Sequence, residues 1–295
     1  MKNHKILKDY IAGALMTIFT IFAILLLVGM AIGLWIKSSD ILEEHSLWEL
    51  LTASEWKPSK NQFGFLAFII GTFYVTGVAT VIALPISLLM AIFLTEYSYS
   101  KVRQCVYPLL DILASLPSVI YGVWGTLVIV PLISDIVGPV VGTSTSGYTL
   151  LSGAIVLSVM ILPLLISLFI EIFNNVSKDL REASLSVGAT RWQTTKFVVI
   201  KAGFPGIVAS TVLAVSRALG ETIAVLMVCG NLIQIPHSLL DACYPIPALI
   251  ANNYGEMLSL PLYESALMFA AFILFFVVLI FNLCSRLYLR SLEIY

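Results

Sequence analysis

NNVSKDLREASLSVGATRWQTTKFVVIKAGFP, residues Asn174 to Pro205, is a charged island between two apolar runs. Its five basic residues (Lys178, Arg181, Arg191, Lys196, Lys201) face only Asp179 and Glu182. The local pattern predicts a helix, a glycine and a second helix. Ser177 is placed to cap the first helix, with Asp179 in its first turn, where a carboxylate favours the positive end of the helix dipole. Gly188 is free to take the left-handed geometry that stops a helix. Thr190 and Gln193 have the spacing of a capping box that starts another. The result is a compact polar knob that does not lie in lipid and offers a grip to a soluble partner. The plainer alternative is an ordinary charged loop on the cytoplasmic side of a membrane protein.

The rest of the chain explains why a membrane enters the argument. Of its 295 residues 59% are hydrophobic and 11% charged, with a mean hydropathy of +1.00. No water-soluble domain of this size is so apolar, so the composition points to an all-α polytopic membrane protein. Six apolar spans are expected: Tyr10–Ile36, Phe65–Tyr97, Cys105–Ile133, Thr149–Phe173, Gly206–Val228 and Pro261–Ser285. Each meets the length of about 20 residues needed to cross hydrocarbon. The first is far longer than the core of a secretory signal and no small-residue cleavage site follows, so it reads as an uncleaved helix. With both termini and 174–205 inside, and 37–64, 134–148 and 229–260 outside, twelve of the sixteen Lys and Arg residues are cytoplasmic. That is the positive-inside bias.

The outer segments carry weaker signals. Residues 37–64 are acidic, and Ile41, Leu47, Trp48 and Leu51 share an arc of a helical wheel that suggests a short interfacial helix. The stretch VGPVVGTSTSGY reads as a flexible loop without the lysine of a phosphate-cradling loop. Four cysteines make no metal or disulfide framework. Cys229 and Cys243 are able to meet in an outer loop, although their spacing reads more simply as chance. No P-loop, nucleophile elbow or triad occurs, so the chain carries no ATPase or hydrolase chemistry of its own and no cofactor is expected. Prolines within the spans shape helices, and together suggest a bundle around a path. In ASLPSVIYGVWG, Ala114 to Gly125, the glycines suggest close packing, and Ser115 and Ser118 are open between packing and a pathway lining.

Several of these stretches carry a resemblance. Glu182, Ala183 and Ser184, then Gly188, then Val198 and Ile200, are similar to the coupling loop of ABC-importer permeases, EAA-x3-G-x9-I-x-L-P. The chain departs from that pattern at Ser184 and Lys201. Phe63–Gly64, IALPISLLMAIFLTEY, ASLPSVIYGVWG, ILPLLIS and SRALGET extend the likeness over roughly residues 60–285, to the PstC type of phosphate-specific ABC permease. The resemblance implies the type I importer fold, with an N-terminal helix and acidic loop over 1–60 and a permease core over 61–295. It implies a prokaryotic plasma-membrane location and a second, PstA-like permease subunit. It also implies two PstB-like ATPase subunits and a PstS-like extracytoplasmic phosphate-binding protein. Glu182, Ala183, Ser184 and Gly188 would then couple to the ATPase. The rivals are a permease for another oxyanion (molybdate, sulfate or phosphonate) and an ion-coupled secondary carrier, against which six helices without a visible repeat argue.

Arg217 and Glu221 are the sharpest site candidates. Arg217 falls near the middle of the expected fifth span, where a charge costs roughly 2.5–3.5 kcal/mol and so faces protein or water. Four residues along one helical face, Glu221 is expected beside it. The pair is either an internal ion pair or a site in which Arg217 offers its planar donors to an oxyanion. The resemblance favours the second reading, because the family's transport-critical pair stands there.

Overall fold

The computed structural model describes residues 2–255 and 261–293, with side chains over 11–255 and 262–289. The N-terminal lysines, Arg290 and the end of the 229–260 excursion lie outside those side chains. Among the described residues six helices are long and apolar enough to cross a membrane, which makes the chain an all-α multi-pass membrane protein. They are α1 (Lys2–Lys37), α4 (Leu66–Tyr97), α6 (Ser118–Val141), α7 (Leu150–Asn175), α9 (Arg191–Leu219) and α12 (Pro261–Glu293). Between them stand short elements: α2 (Ser39–Glu44), α3 (Leu47–Thr52), α5 (Ser100–Ser115), α8 (Lys178–Ser186), α10 (Ile223–Val228) and α11 (Ile246–Asn253).

Helix α7, uncharged until Glu171, is the most buried of the six, sits at the centre and packs along α4. Its Leu157, Ile161, Leu165 and Phe169 are fully buried. One end of the bundle carries the 174–205 island and is called the knob face here. The opposite face is covered by 37–64 folded as a cap. There β1 (Trp56–Lys57) and β2 (Gln62–Phe63) pair antiparallel, and the Trp56 ring sits edge-on among Phe63, Phe65, Phe68 and Tyr263. A second core therefore forms where the cap meets the start of α4 and α12.

Four expectations change. The third span is Ser118–Val141 rather than Cys105–Ile133. The residue before a proline avoids the helical region, and Leu116 and Pro117 are both extended, so Ser100–Ser115 becomes a separate amphipathic helix. The fifth span is Arg191–Leu219 rather than Gly206–Val228. The capping box at Thr190 starts a helix that runs on into the bundle, so the knob holds one short helix and the foot of a long one. The stretch read as a flexible loop is helical to Val141, and its remainder is pinned. Thr143 N donates to the Gly138 carbonyl at 2.9 Å, the Thr145 hydroxyl to the Leu240 carbonyl at 3.5 Å, and Gly147 N to that hydroxyl at 3.2 Å. The interfacial helix is two helices broken at His45–Ser46, which buries Ile41 while Trp48 stands 77% exposed.

Candidate functional site

Two places in the bundle carry the residues singled out above. The first is the knob. Ser177 accepts from Asp179 N at 3.2 Å, and Thr190 and Gln193 form the reciprocal capping box. Between them Gly188 takes φ +86°, the left-handed turn that aims α8 against the foot of α9. Ser184 Oγ lies 2.9 Å from Thr194 Oγ1, so at the position where the coupling-loop pattern has Ala this chain ties the two helices together. Glu182, Ala183 and Gly188 are exposed, and Ser184 half-buried.

Sequence reasoning missed what surrounds them. Leu185, Val187 and Trp192 are 45%, 83% and 52% exposed. A knob that is polar by composition thus presents an apolar tip, and the signal was present in Val187 beside Gly188. Arg181 was also missed as a fastener. Its guanidinium donates to the Val176 and Phe173 carbonyls at the end of α7, and to Glu96 Oε1 at 3.0 Å at the end of α4. Arg103 Nη2 holds the same turn of α4 through the Thr95 carbonyl, at 2.7 Å. The knob is therefore clamped to the ends of two membrane helices.

The second place lies within the bundle. Helix α9 stops at Leu219, and Gly220–Thr222 turn the chain into α10. Ala218, Leu219, Glu221 and Val225 line a small cavity with Thr76 of α4 and Leu157 of α7. Thr76 is ten residues into α4 and Leu157 seven into α7, so the break lies roughly 10–15 Å below the opposite face. A broken helix at that depth is tolerated where protein or a water-filled cavity satisfies its backbone.

A second break faces it. Ser115 and Ser118 flank Leu116–Pro117, and Tyr121 closes that turn by donating its hydroxyl to the Leu113 carbonyl at 2.7 Å. The two breaks are joined by close packing, because a Cβ at Gly122 would meet Ala224 Cα at 3.3 Å. Arg217 lies within electrostatic reach of Tyr121.

The expected pair is not one. Glu221 is past the end of α9, and its carboxylate accepts from Ala224 N at 3.5 Å to cap α10. Among the described residues no ion pair joins it to Arg217. Arg217 is exposed and Glu221 half-buried at the break. Ser115 Oγ is spent on Ile112 O at 2.8 Å, and neither serine hydrogen-bonds Arg217 or Glu221.

Cys229 and Cys243 do meet, against the simpler reading of their spacing. Cys243 N donates to the Cys229 carbonyl at 3.0 Å, and both residues are wholly buried with free thiols. They hold the excursion after α10 onto α7.

With this geometry in hand, known proteins give it context. The family described as "Binding-protein-dependent transport system inner membrane component" matches residues 83–293. The phosphate transport system permease protein PstC of Xylella fastidiosa is 33% identical, covering 97% of this chain and 91% of its own. The probable phosphate transport system permease protein PstC of Methanocaldococcus jannaschii is 31% identical over 98% and 96%. The probable ABC transporter permease protein YqgH of Bacillus subtilis is 37% identical over 81% and 78%. Among solved structures, a chain of a bacterial alginate ABC transporter superposes with a TM-score of 0.64, at 17% identity over 94% of this chain and 93% of that one. One from the MetNI methionine ABC transporter gives 0.54, at 21% identity over 75% and 90%. At those identities the likeness is one of fold, that of the type I ABC importer permease.

Proposed function

The chain belongs to the binding-protein-dependent transport system inner membrane component family, and on that premise we propose that it is the PstC-type permease subunit of an ATP-driven phosphate importer. The observation that carries the reading is likeness over nearly the whole chain to permeases named for phosphate transport, at 33% identity. The chain itself is a conduit, and ATP hydrolysis belongs to a separate subunit.

The proposed partners are a PstA-like second permease, two PstB-like ATPases and a PstS-like binding protein. The apolar tip of the knob supports the ATPase contact: exposed Val187 and Trp192 beside Gly188 suit an apolar cleft on a soluble protein. Glu182, Ala183, Ser184 and Gly188 form the proposed coupling surface. The clamp through Arg181 would carry its motion into α4 and α7.

Arg217 is the proposed oxyanion residue of the path. It is a permanently charged group at the internal end of a broken helix, left without a carboxylate partner among the described residues. Its fork of donors matches phosphate geometry, which a lysine reproduces only as a point charge. Glu221, Ser115 and Ser118 mark the two breaks that face each other there. The N-terminal helix with its acidic segment, 1–60, is proposed as an addition to a permease core over 61–295.

The knob face is proposed to be cytoplasmic in a prokaryotic plasma membrane, with both termini on that side. Single cysteines at Ser54 and Ser177, in a chain lacking the native four, test this. An impermeant thiol reagent on intact cells should label Ser54→Cys alone, and equal labelling refutes the orientation. The function itself is tested by ATP-dependent uptake of labelled phosphate into liposomes holding the full complex. Sulfate and molybdate serve as competitors. Uptake that either competitor abolishes at equal concentration would move the reading to another oxyanion.

A further inference from the structure

Helix α1 touches α12 at the face opposite the knob, where Trp35 meets Phe272 with ring centroids 5.3 Å apart and Lys37 reaches Glu264 at 3.4 Å. Toward the knob face the two helices do not close. A groove of about 820 Å³ runs between them, floored by the last turns of α9. It opens sideways between membrane-spanning helices, along stretches of hydrocarbon-spanning length.

Its chemistry changes in order along α12. Arg286 stands at the knob end, exposed, with no carboxylate in ion-pair range among the described residues. One turn further in is Asn282, whose Oδ1 lies 3.3 Å from the Ser216 hydroxyl. Beyond that the walls are apolar, with Met30 on α1 and Leu279, Phe275 and Ala271 on α12. From Arg286 to Ala271 is fifteen residues, roughly 22 Å of helix. One leaflet of hydrocarbon is about 15 Å deep.

We propose that this groove is a binding site for one anionic phospholipid of the leaflet at the knob face. The order of cation, then amide and hydroxyl, then apolar wall mirrors phosphate, ester and acyl chain. Basic pockets between membrane helices hold lipid headgroups by this arrangement. A soluble anion would leave the apolar length unused. A neighbouring membrane helix would gain nothing from an unpaired Arg286 unless it brought a carboxylate to the interface. The inference is independent of what the protein transports.

The complex is reconstituted in phosphatidylcholine nanodiscs containing a trace of photoactivatable phosphatidylglycerol, and crosslinks are mapped by mass spectrometry. Crosslinks to peptides spanning 271–286 are expected, reduced about fivefold in Arg286→Gln, the loss of one interfacial cation–phosphate contact. Leu279→Trp, which fills the groove, should lower the yield while Arg286 stays in place. Unchanged yield in Arg286→Gln overturns the proposal. So does equal labelling by photoactivatable phosphatidylcholine, or a benzophenone at position 279 that captures a second membrane polypeptide instead of lipid.

Discussion

Arg181 Nη2 lies 3.0 Å from Glu96 Oε1, joining residues 85 apart in sequence where the knob meets the end of α4. Both side chains are largely shielded, 19% and 15% exposed. The same guanidinium donates to two carbonyls at the end of α7, where a helix terminus leaves acceptors short of backbone donors: Val176 O, and Phe173 O, which also accepts from Val176 N at 3.3 Å. Arg181 is thus the positioning residue between α8 and the two helices it must move if the knob is pushed.

Removing Glu96 leaves the cation its two carbonyls, while removing Arg181 takes a donor from all three acceptors, of which only the Phe173 carbonyl keeps another, Val176 N at 3.3 Å. A hydrogen bond to a charged group contributes about 1.5–3 kcal/mol. Arg181→Ala is therefore expected to assemble and hydrolyse ATP while transporting at least tenfold less phosphate per ATP, with Glu96→Gln milder. The ratio of uptake to hydrolysis is the readout, because a loss of fold alone lowers both together. An unchanged ratio in Arg181→Ala removes the clamp from the coupling path.

Gly188 is required for its backbone alone. At φ +86° it sits in the left-handed region, yet a Cβ there would meet nothing within 4 Å. The cost of substitution is therefore conformational, roughly 1–3 kcal/mol for a β-branched residue, and smaller for asparagine, which visits that region readily. Gly188→Val should lose ATP-driven uptake at normal expression, and Gly188→Asn should keep most of it. If both fail alike, the tip needs a bare surface there and the turn argument is wrong.

At Gly153 the constraint is space. A Cβ there would fall on the sulfur of Cys229, a residue whose backbone carbonyl is held by Cys243 N. Overpacking of this kind costs about 1–3 kcal/mol. Gly153→Ala should lower the thermal midpoint of the purified subunit, and Cys229→Ala should restore it in the double variant. Additive effects of the two substitutions would show that they do not touch.

The legible and illegible parts of this chain divide by range. The caps at Ser177 and Thr190 and the turn at Gly188 are local, and their residues stand in the structure as read. The six apolar runs were legible for the same reason, but not the limits of two of them. Apolar runs flank both Leu116–Pro117 and Gly220, so a window of about 20 residues averages over both breaks even though Arg217 and Glu221 stand beside the second. The helical face assigned to Arg217 and Glu221 failed with it, since that spacing assumed a helix that ends at Leu219. Arg181–Glu96 left no trace in sequence, and the meeting of Cys229 with Cys243 was the less simple of two readings, because each depends on how distant segments pack.

Arg217 bears the most specific expectation. Had it been half of an internal ion pair with Glu221, an apolar pair in their place would have been harmless or stabilising. The break between α9 and α10 removes that account: Glu221 caps α10 through Ala224 N, and Arg217 points its charge elsewhere. An exposed guanidinium inside the membrane depth needs water, a partner subunit or an anion to justify roughly 2.5–3.5 kcal/mol of insertion cost. If it handles phosphate, Arg217→Leu should insert and assemble, since the leucine is cheaper there, yet transport at least a hundredfold less, the loss of about 2.7 kcal/mol of oxyanion contact. Arg217→Lys should also be strongly impaired, as a point charge does not replace the fork. Glu221→Gln, whose amide oxygen still caps α10, should retain uptake better than Glu221→Leu. The measurement is phosphate uptake normalised to assembled complex and to ATP hydrolysis. Robust uptake by Arg217→Leu would leave the arginine as a contact between subunits and take the oxyanion away from this break.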